Sequence, residues 1–189
     1  MVRGGASDKA GLLANCEKFA QLGGSVAIYS HFQGVSAAGG RVGDDRTYLD
    51  FARRAALTGR DEGGIPVGAA LVVDDTVLGV GHNQRVQRGS VIRHGETDCL
   101  ENVGRLPAST YRRSTLYTTL SPCPMCTGTV LLYGIGRVVI GESTTFRGPE
   151  ELLLEAGIEV VQMNDAKCIA MMTEFVRAHP ELWNEDIGV

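Results

Sequence analysis

The chain has 189 residues and a formal net charge of −4, and 43% of its residues are hydrophobic, which suits one soluble globular domain with a single sizeable core. The acidic balance argues against a nucleic-acid partner, because proteins that bind nucleic acids normally present a basic face. No apolar run approaches the roughly 20 residues that cross a membrane, and residues 1–9 lack the apolar core of a signal peptide, so we expect a cytoplasmic protein with no membrane partner.

The first part of the chain gives few structural signals. Residues 10–43 are rich in glycine, alanine and serine, and their hydrophobic positions follow no clean period. A short helix over 12–22 and a short strand over 26–29 fit the few apolar residues there.

Clear signals begin at Asp44, which together with Asp45 can cap a helix that runs towards Gly63. A loop with His82 and Asn83 follows the first two predicted strands. The predicted elements after the first helix are strands 67–73 and 77–81, helix 94–103, strand 116–120, helix 123–133, strand 138–140, a short helix at 152–154, strand 158–162 and helix 166–178. Strands that alternate with helices predict a layered α/β fold.

Two short motifs carry the strongest chemical signal. One is His94-Gly95-Glu96, and the other is Pro122-Cys123-Pro124-Met125-Cys126. One imidazole and two thiolates are zinc ligands, and a set of three protein ligands leaves a fourth position for water, as catalytic zinc sites do. Both motifs start predicted helices, whose partly positive N-termini favour thiolates. Glu96 is two residues from His94, so it does not share the ligand role but can move protons beside the metal.

Other interpretations of these residues remain open. The pair Cys123 and Cys126 could be a redox pair or half of a structural zinc site. A structural site would need a fourth ligand, for which Cys99 is the candidate, and His82 could compete as a ligand. If Cys99 is buried in the core, the metal site stays open. The odd count of five cysteines is a poor disulfide framework, so Cys16, Cys99 and Cys168 are expected to be small buried residues.

An H-x-E motif followed by P-C-x-x-C is the signature of zinc-dependent nucleobase deaminases. Further matching stretches narrow the likeness, and they lie at residues 1–5, 61–68, 81–83, 100–106, 115–123 and 183–188. On these residues the chain resembles the fungal cytosine deaminases, within the cytidine deaminase-like superfamily. The resemblance runs from about Arg46 to the C-terminus.

The resemblance implies a three-layer α/β/α fold with a central five-stranded mixed sheet, in a homodimer. It implies one Zn²⁺ per subunit, held by His94, Cys123 and Cys126, with Glu96 as the catalytic proton carrier. The implied substrate-binding residues are Asn83, Gly95, Ser121, Asp186, Phe146, Trp183 and Ile187. A flat base needs polar partners at its edge and apolar cover on its faces.

The implied activity is hydrolytic deamination of cytosine to uracil and ammonia in pyrimidine salvage, extending to 5-substituted cytosines. Water attacks C4, and Glu96 protonates N3 and then the departing amine. The implied partner is the small nucleobase alone, and the implied location is the cytoplasm and also the nucleus. Without the resemblance, Phe146 and Trp183 would be ordinary core residues, Asp186 a solvated tail charge, and Arg85 and Arg88 solvated loop charges.

Two other classes of function compete with this one. The substrate could be a purine base, a nucleoside or adenosine in tRNA, although the acidic charge weakens the tRNA version. The apolar cover formed by Trp183 and Ile187, with Asp186 beside it, would leave little room for a ribose. A zinc-binding interaction module would instead hold its metal with four protein groups.

Relative to the family, residues 10–45 form an insertion within what is otherwise one catalytic domain over residues 1–189. We interpret this segment as a retained intron translated into the gene model, and a genuine surface extension is the alternative. In either case the segment contains no predicted site residue. The same family pattern leaves Asp98 undecided, since this acidic residue could tune the site or face solvent.

Overall fold

A computed structural model describes residues 44–189 of the chain. Its helices are α1 (Asp45–Asp61), α2 (Arg85–Arg88), α3 (Gly95–Val103), α4 (Ala108–Arg112), α5 (Pro124–Tyr133), α6 (Glu150–Glu155), α7 (Ala166–Ala178) and α8 (Pro180–Ile187). Its strands are β1 (Gly68–Val73), β2 (Thr76–His82), β3 (Thr115–Thr118), β4 (Arg137–Ile140) and β5 (Glu159–Gln162). The helix and strand predicted within residues 10–43 lie outside the described residues, so the single-domain and insertion hypotheses stay predictions.

The five strands form one mixed sheet in the order β2-β1-β3-β4-β5. Strand β1 pairs antiparallel with β2 and β3, whereas the pairs β3–β4 and β4–β5 are parallel. The parallel pairs need crossover connections, and helices α5 and α6 supply them. Asp74 and Asp75 both have positive φ angles in the tight turn between β1 and β2, as a hairpin turn of this hand requires.

Helices cover both faces of the sheet. Ala69 and Leu71 of β1 point into a core shared with α3, α4, α5 and α6, and Ala70 and Val72 point into a second core shared with α1 and α7. Alternate side chains of a strand point to opposite faces, so one fully buried strand contributes to both cores. The predicted three-layer α/β/α fold with a five-stranded mixed sheet is therefore confirmed.

The helices pack closely on the strands that lead to the site. A Cβ atom on Gly81 at the end of β2 would lie 2.2 Å from the backbone nitrogen of Cys99 in α3. A Cβ atom on Gly68 at the start of β1 would lie 2.2 Å from the carbonyl oxygen of Ala52 in α1. Only glycine allows such approach of two backbones, so these positions fix α3 against β2 and α1 against β1.

Most predicted elements are present, with small shifts at their ends. The cap at Asp44 is confirmed, because its side chain accepts a hydrogen bond of 3.1 Å from the backbone N–H of Thr47. The sequence did not predict α2, α4 or α8, of which the first two are single short turns. Helix α8 begins with Pro180 and ends before Gly188 in the left-handed conformation, a start and stop signal that could have revealed it. Among residues 44–189, no helix combines the length and apolar character that a membrane span needs.

Candidate metal centre and adjoining pocket

The two predicted metal motifs meet in space. His94 is the N-cap residue of α3, Cys123 is the N-cap residue of α5, and Cys126 lies in the first turn of α5. The candidate ligand atoms of these three residues all lie within 4.8 Å of one another, and the Sγ atom of Cys123 is 3.5 Å from Nδ1 of His94. Within the part of the chain that the structure describes, this is the one group of three or more such residues close enough to share an ion.

Of the three residues, Cys123 is the one whose surroundings favour the deprotonated form that binds a metal. The pKa of Cys123 is lowered to about 4, chiefly because the thiol of Cys126 donates a hydrogen bond to it; burial opposes this shift, and contact with His94 supports it. The same pairing and burial raise the pKa of Cys126 well above its usual range. Burial lowers the pKa of His94, but Cys123 and the carboxylates of Asp186 and Glu96 outweigh it and raise that pKa. An arriving cation would therefore displace protons from Cys126 and His94 rather than from Cys123.

Neither alternative fourth ligand reaches the group. Cys99 is fully buried, its thiol donates to the carbonyl oxygen of Gly79, and burial raises its pKa. His82 turns away, because its Nε2 atom lies 3.1 Å from the carboxylate of Glu62. Among the described residues, the group thus has three ligands, the number typical of a catalytic zinc site.

Glu96 lies against this group from inside the protein. Its side chain is only 3% exposed, one carboxylate oxygen accepts from the hydroxyl of Thr118 at 3.2 Å, and the other accepts from the thiol of Cys126 at 3.3 Å. Burial raises the pKa of Glu96, and the nearby Cys123 thiolate adds to this effect. A buried carboxyl group with a raised pKa, next to a candidate metal site, is suited to accept and return protons.

The tail of the chain reaches the same place. The carboxylate of Asp186 in α8 is 6% exposed, and one of its oxygens is 3.8 Å from Nε2 of His94. The side-chain amide of Asn83 donates to both oxygens of Asp186, at 3.2 and 3.4 Å, and the guanidinium of Arg85 donates to one of them at 2.8 Å. The structure therefore brings Asn83 and Asp186 together beside the metal group, and the interpretation of Arg85 and Asp186 as solvated charges is wrong.

Apolar residues close one side of this region. Trp183 is buried, and the ring of Phe146 meets it edge-on with centroids 5.9 Å apart. Ile187 packs on the same cluster, which also contains Ile65, Val67, Leu120, Met172 and Phe175. Two aromatic rings and an aliphatic side chain beside polar groups form a wall suited to a flat ring.

Buried carboxylates hold the loop that carries Phe146. Glu142 is fully buried and accepts hydrogen bonds from the backbone N–H groups of Thr144 and Thr145, at 2.6 and 3.0 Å. At the other end of the loop, the hydroxyl of Ser121 donates to Glu150 at 2.7 Å and accepts from the backbone N–H of Gly148 at 3.0 Å. Ser121 is thus a structural link, and its predicted carbonyl contact with a substrate stays a prediction.

Gly95 opens α3 between His94 and Glu96. A Cβ atom there would lie 3.0 Å from the carbonyl oxygen of Val67, so the residue must be small. Its backbone directly follows the N-cap residue His94, at the N-terminus of α3. Contacts of Asn83, Gly95, Ser121, Asp186, Phe146, Trp183 and Ile187 with a base remain predictions.

Residues 42–142 match the family model described as the cytidine and deoxycytidylate deaminase zinc-binding region. The chain belongs to this family. A cytosine deaminase from Candida albicans is 55% identical over 146 residues, which cover 77% of this chain and 97% of that protein. A tRNA-specific adenosine deaminase from Bacillus subtilis is 34% identical over 99 residues, or 51% of this chain and 61% of that protein.

Solved structures with the same fold support the assignment of fold class. A guanine deaminase from Nitrosomonas europaea superposes with a TM-score of 0.60 at 19% identity, covering 74% of this chain and 88% of that chain. A deaminase of tRNA adenosine 34 has a TM-score of 0.58 at 21% identity, covering 67% of this chain and 99% of that chain. The predicted cytidine deaminase-like fold is confirmed.

Proposed function

We propose that this chain is a zinc-dependent hydrolase that converts cytosine and water to uracil and ammonia. The observation that carries the proposal is the buried Glu96 carboxylate in contact with a three-residue group of zinc-ligand types. The likeness to a cytosine deaminase over nearly the whole of that protein supports cytosine as the base.

The residues present fit zinc. Cys123 and Cys126 supply two sulfur atoms and His94 an imidazole nitrogen, a donor set that zinc prefers and that magnesium or calcium does not. Two thiolates would offset the two charges of one ion per subunit. When bound, zinc lowers the pKa of a coordinated water so that it is a nucleophile near neutral pH.

Glu96 then moves the protons of the reaction. It takes one proton from the attacking water and delivers it to N3 of the base as the C4–O bond forms. It then takes the remaining proton of the new C4 hydroxyl group and delivers it to the exocyclic amine, which leaves as ammonia when the C4–N bond breaks. Its burial supports this role, because a raised pKa keeps the carboxyl group able both to gain and to lose a proton. Bulk water has little access to a side chain that is 3% exposed.

We use "tail region" for Trp183, Asp186 and Ile187 of α8 together with the residues at their side, Asn83, Arg85 and Phe146. In this proposal the tail region selects and orients the base. Asn83 and Asp186 present an amide and a carboxylate to the polar edge of the ring, and the backbone of Gly95 and Ser121 adds contacts. Phe146, Trp183 and Ile187 cover the ring faces and exclude water. A ribose on N1 would have to displace part of this cover, which favours the free base over the nucleoside.

The test is ammonia release by zinc-loaded protein from cytosine, cytidine, adenine and guanine, with adenosine-containing tRNA as a fifth substrate. We expect cytosine to give the highest kcat/KM. A preference for cytidine would refute the free-base proposal. Activity on tRNA alone would instead indicate tRNA adenosine deamination, the activity for which the Bacillus subtilis relative is named. The variant Cys126→Ser controls for contaminating enzyme, because it should lose both zinc and activity.

The proposal extends to 5-substituted cytosines, since a small group at C5 leaves N3, C4 and the amine unchanged. 5-Methylcytosine in the same assay tests this. The physiological role would be pyrimidine salvage in the cytoplasm, and also in the nucleus. Growth of a deletion strain on cytosine as the pyrimidine source and imaging of a tagged chain test these two points.

We also propose a homodimer. Helices α5 and α6 leave apolar side chains in water, with Leu132 78% exposed and Leu154 58% exposed, and Tyr133 and Leu152 lie partly exposed beside them. Apolar groups concentrated on two neighbouring helices are typical of an interface. Sedimentation equilibrium should give twice the chain mass, and Leu132→Glu should shift it to the monomer.

The insertion hypothesis for residues 10–45 also stays a proposal. Sequencing the transcript distinguishes a retained intron from a genuine segment. If the transcript encodes these residues, deleting 10–43 should leave zinc content and kcat unchanged, because every proposed site residue follows them.

A further inference from the structure

One buried charge near the metal group has no part in the proposed chemistry. Asp98 lies on α3, four residues after His94, and its side chain is fully buried. One of its oxygens accepts from the guanidinium of Arg93 at 2.9 Å. The other accepts three hydrogen bonds of 3.2 Å, from the backbone N–H of His82 and the side-chain amides of Gln84 and Asn102.

These contacts connect the two parts of the site. Helix α3 carries His94 and Glu96, whereas the segment 82–84 after β2 carries Asn83. Asp98 receives hydrogen bonds from residues on both sides of Asn83, so its carboxylate attaches that segment to the helix. We use the name Asp98 junction for this carboxylate and its four donors, on His82, Gln84, Arg93 and Asn102.

We propose that Asp98 is a positioning residue that sets the place of Asn83, and hence of the base edge, relative to Glu96 and the metal group. This inference rests on the proposed function. Asn83 itself is buried, its side-chain oxygen accepts from the backbone N–H of Arg85, and its amide bonds Asp186. A shift of the backbone at 82–84 would therefore move Asn83 and Asp186 together away from a bound base.

The chemistry of a carboxylate explains why aspartate is needed here. The two oxygens of Asp98 accept four hydrogen bonds in all, and every group that faces them is a donor. The amide of asparagine would place two N–H donors against some of these donors, and the resulting repulsion would open the junction. The negative charge of Asp98 also offsets the positive charge of Arg93, whose side chain is partly buried.

Arg93 provides a matched control within the same contact. Its other terminal nitrogen lies 2.6 Å from Glu101, whose side chain is 58% exposed. Exposed ion pairs contribute little, so Glu101→Gln should change neither stability nor kinetics measurably. Asp98→Asn makes the same chemical change on the buried side of one arginine.

The experiment measures KM and kcat for cytosine, zinc per chain, and uracil affinity by calorimetry, in the wild type, Asp98→Asn and Glu101→Gln. We expect Asp98→Asn to raise KM and weaken uracil binding by about 10- to 100-fold, similar to the cost of losing an outer partner that orients a metal ligand. Its zinc content and kcat should stay close to those of the wild type. Loss of zinc, or a fall in kcat with KM unchanged, would overturn the inference.

A double-mutant cycle separates positioning from general destabilisation. In an Asn83→Ala background, Asp98→Asn should have almost no further effect on KM, because the residue through which it acts is gone. Full additivity would refute the inference. If Asp98→Asn does not fold, Gln84→Leu removes one hydrogen bond of the junction from a partly exposed site, and the same non-additivity is expected for it.

The two proposals can fail separately. A wild type that is inactive on all the tested heterocycles refutes the proposed function and the junction's role with it. An active wild type whose KM and uracil affinity are unchanged by Asp98→Asn and by Gln84→Leu refutes the junction's role alone.

Discussion

The metal group and the tail region lie side by side, but the chain builds them in different ways. The metal group comes from two short stretches, 94–96 and 123–126, each at the start of a helix. The tail region depends on contacts between residues about 100 positions apart, such as Asn83 and Arg85 with Asp186. Local spacing thus encodes the candidate metal chemistry, whereas the proposed selection of the substrate would depend on how the last helix packs against the rest of the described residues.

The largest effect is expected for Glu96→Gln, which should stop proton transfer without removing the metal. Glu96→Gln should keep zinc, since Glu96 is no member of the ligand group, but kcat should fall by about 10³-fold or more, because the amide cannot carry a proton. Zinc analysis and single-turnover kinetics measure the two effects. Near-normal activity would refute the role of Glu96, and loss of zinc would mean that the carboxylate belongs to the metal group after all.

The next effect tests the tail region. Arg85→Ala removes the 2.8 Å hydrogen bond to Asp186 and a second bond, of 3.2 Å, to the carbonyl oxygen of Glu185. Charge-assisted hydrogen bonds contribute roughly 1.5–3 kcal/mol, so we expect KM to rise about 10- to 100-fold with zinc retained. Arg60→Ala is the control, because Arg60 pairs with the exposed Asp61. If Arg85→Ala releases zinc, the metal group and the tail region form one unit rather than two.

The same contrast explains what could be predicted from the sequence. Ligand spacing is local, so His94, Cys123 and Cys126 could be predicted to meet, and alternating strand and helix signals gave the layered fold. The link between Arg85 and Asp186 depends on tertiary packing, which leaves no periodic signal in a single sequence. The family likeness pointed to Asp186 but not to the arginine that holds it.

Buried carboxylates were the least predictable feature. Asp98, Glu142 and Glu150 are all buried, although acidic residues on loops and short helices are usually solvated. Their burial is possible because hydrogen-bond donors surround each carboxylate, and several of these donors are backbone N–H groups. Backbone donors have no sequence signature, so the sequence left Asp98 undecided and gave no role to the other two.

A moderate effect is expected at Gly81, where the strand that leads to Asn83 touches the helix that carries His94 and Glu96. Gly81 immediately precedes the segment that contains Asn83, and it touches α3. The methyl group added in Gly81→Ala would therefore force strand β2 and helix α3 apart. Overpacking of this kind costs about 1–3 kcal/mol of unfolding free energy. Gly128→Ala in α5 is the control, since a Cβ atom there meets nothing within 4 Å and alanine favours the helix. Urea unfolding should show opposite shifts for the two variants, and equal shifts would contradict the packing described.

The smallest effect is expected for the contacts that attach the start of helix α1 to strands β3 and β4. Asp45 at the start of α1 bonds Arg137 of β4 through both carboxylate oxygens and accepts from the hydroxyl of Tyr117. Hydrogen bonding to Arg137 holds the pKa of Asp45 below its ordinary value near 3.8, although burial opposes this. A lowered folded-state pKa gives stability that is present above pH 3.8 and lost as the pH falls through the folded value.

Asp45→Asn should therefore lower the free energy of unfolding by about 1 kcal/mol at pH 7, as expected for a partly exposed ion pair. The difference between the wild type and the variant should shrink below about pH 4, where the wild-type carboxylate also loses its charge. Urea unfolding at pH 7 and pH 3 measures it, and Asp61→Asn, which removes an exposed partner of Arg60, is the control for the loss of one surface carboxylate. Because Asp45 contacts neither the metal group nor the tail region, KM and zinc content should not change in this variant. A change in either would show that the packing of α1 on the sheet is coupled to the site.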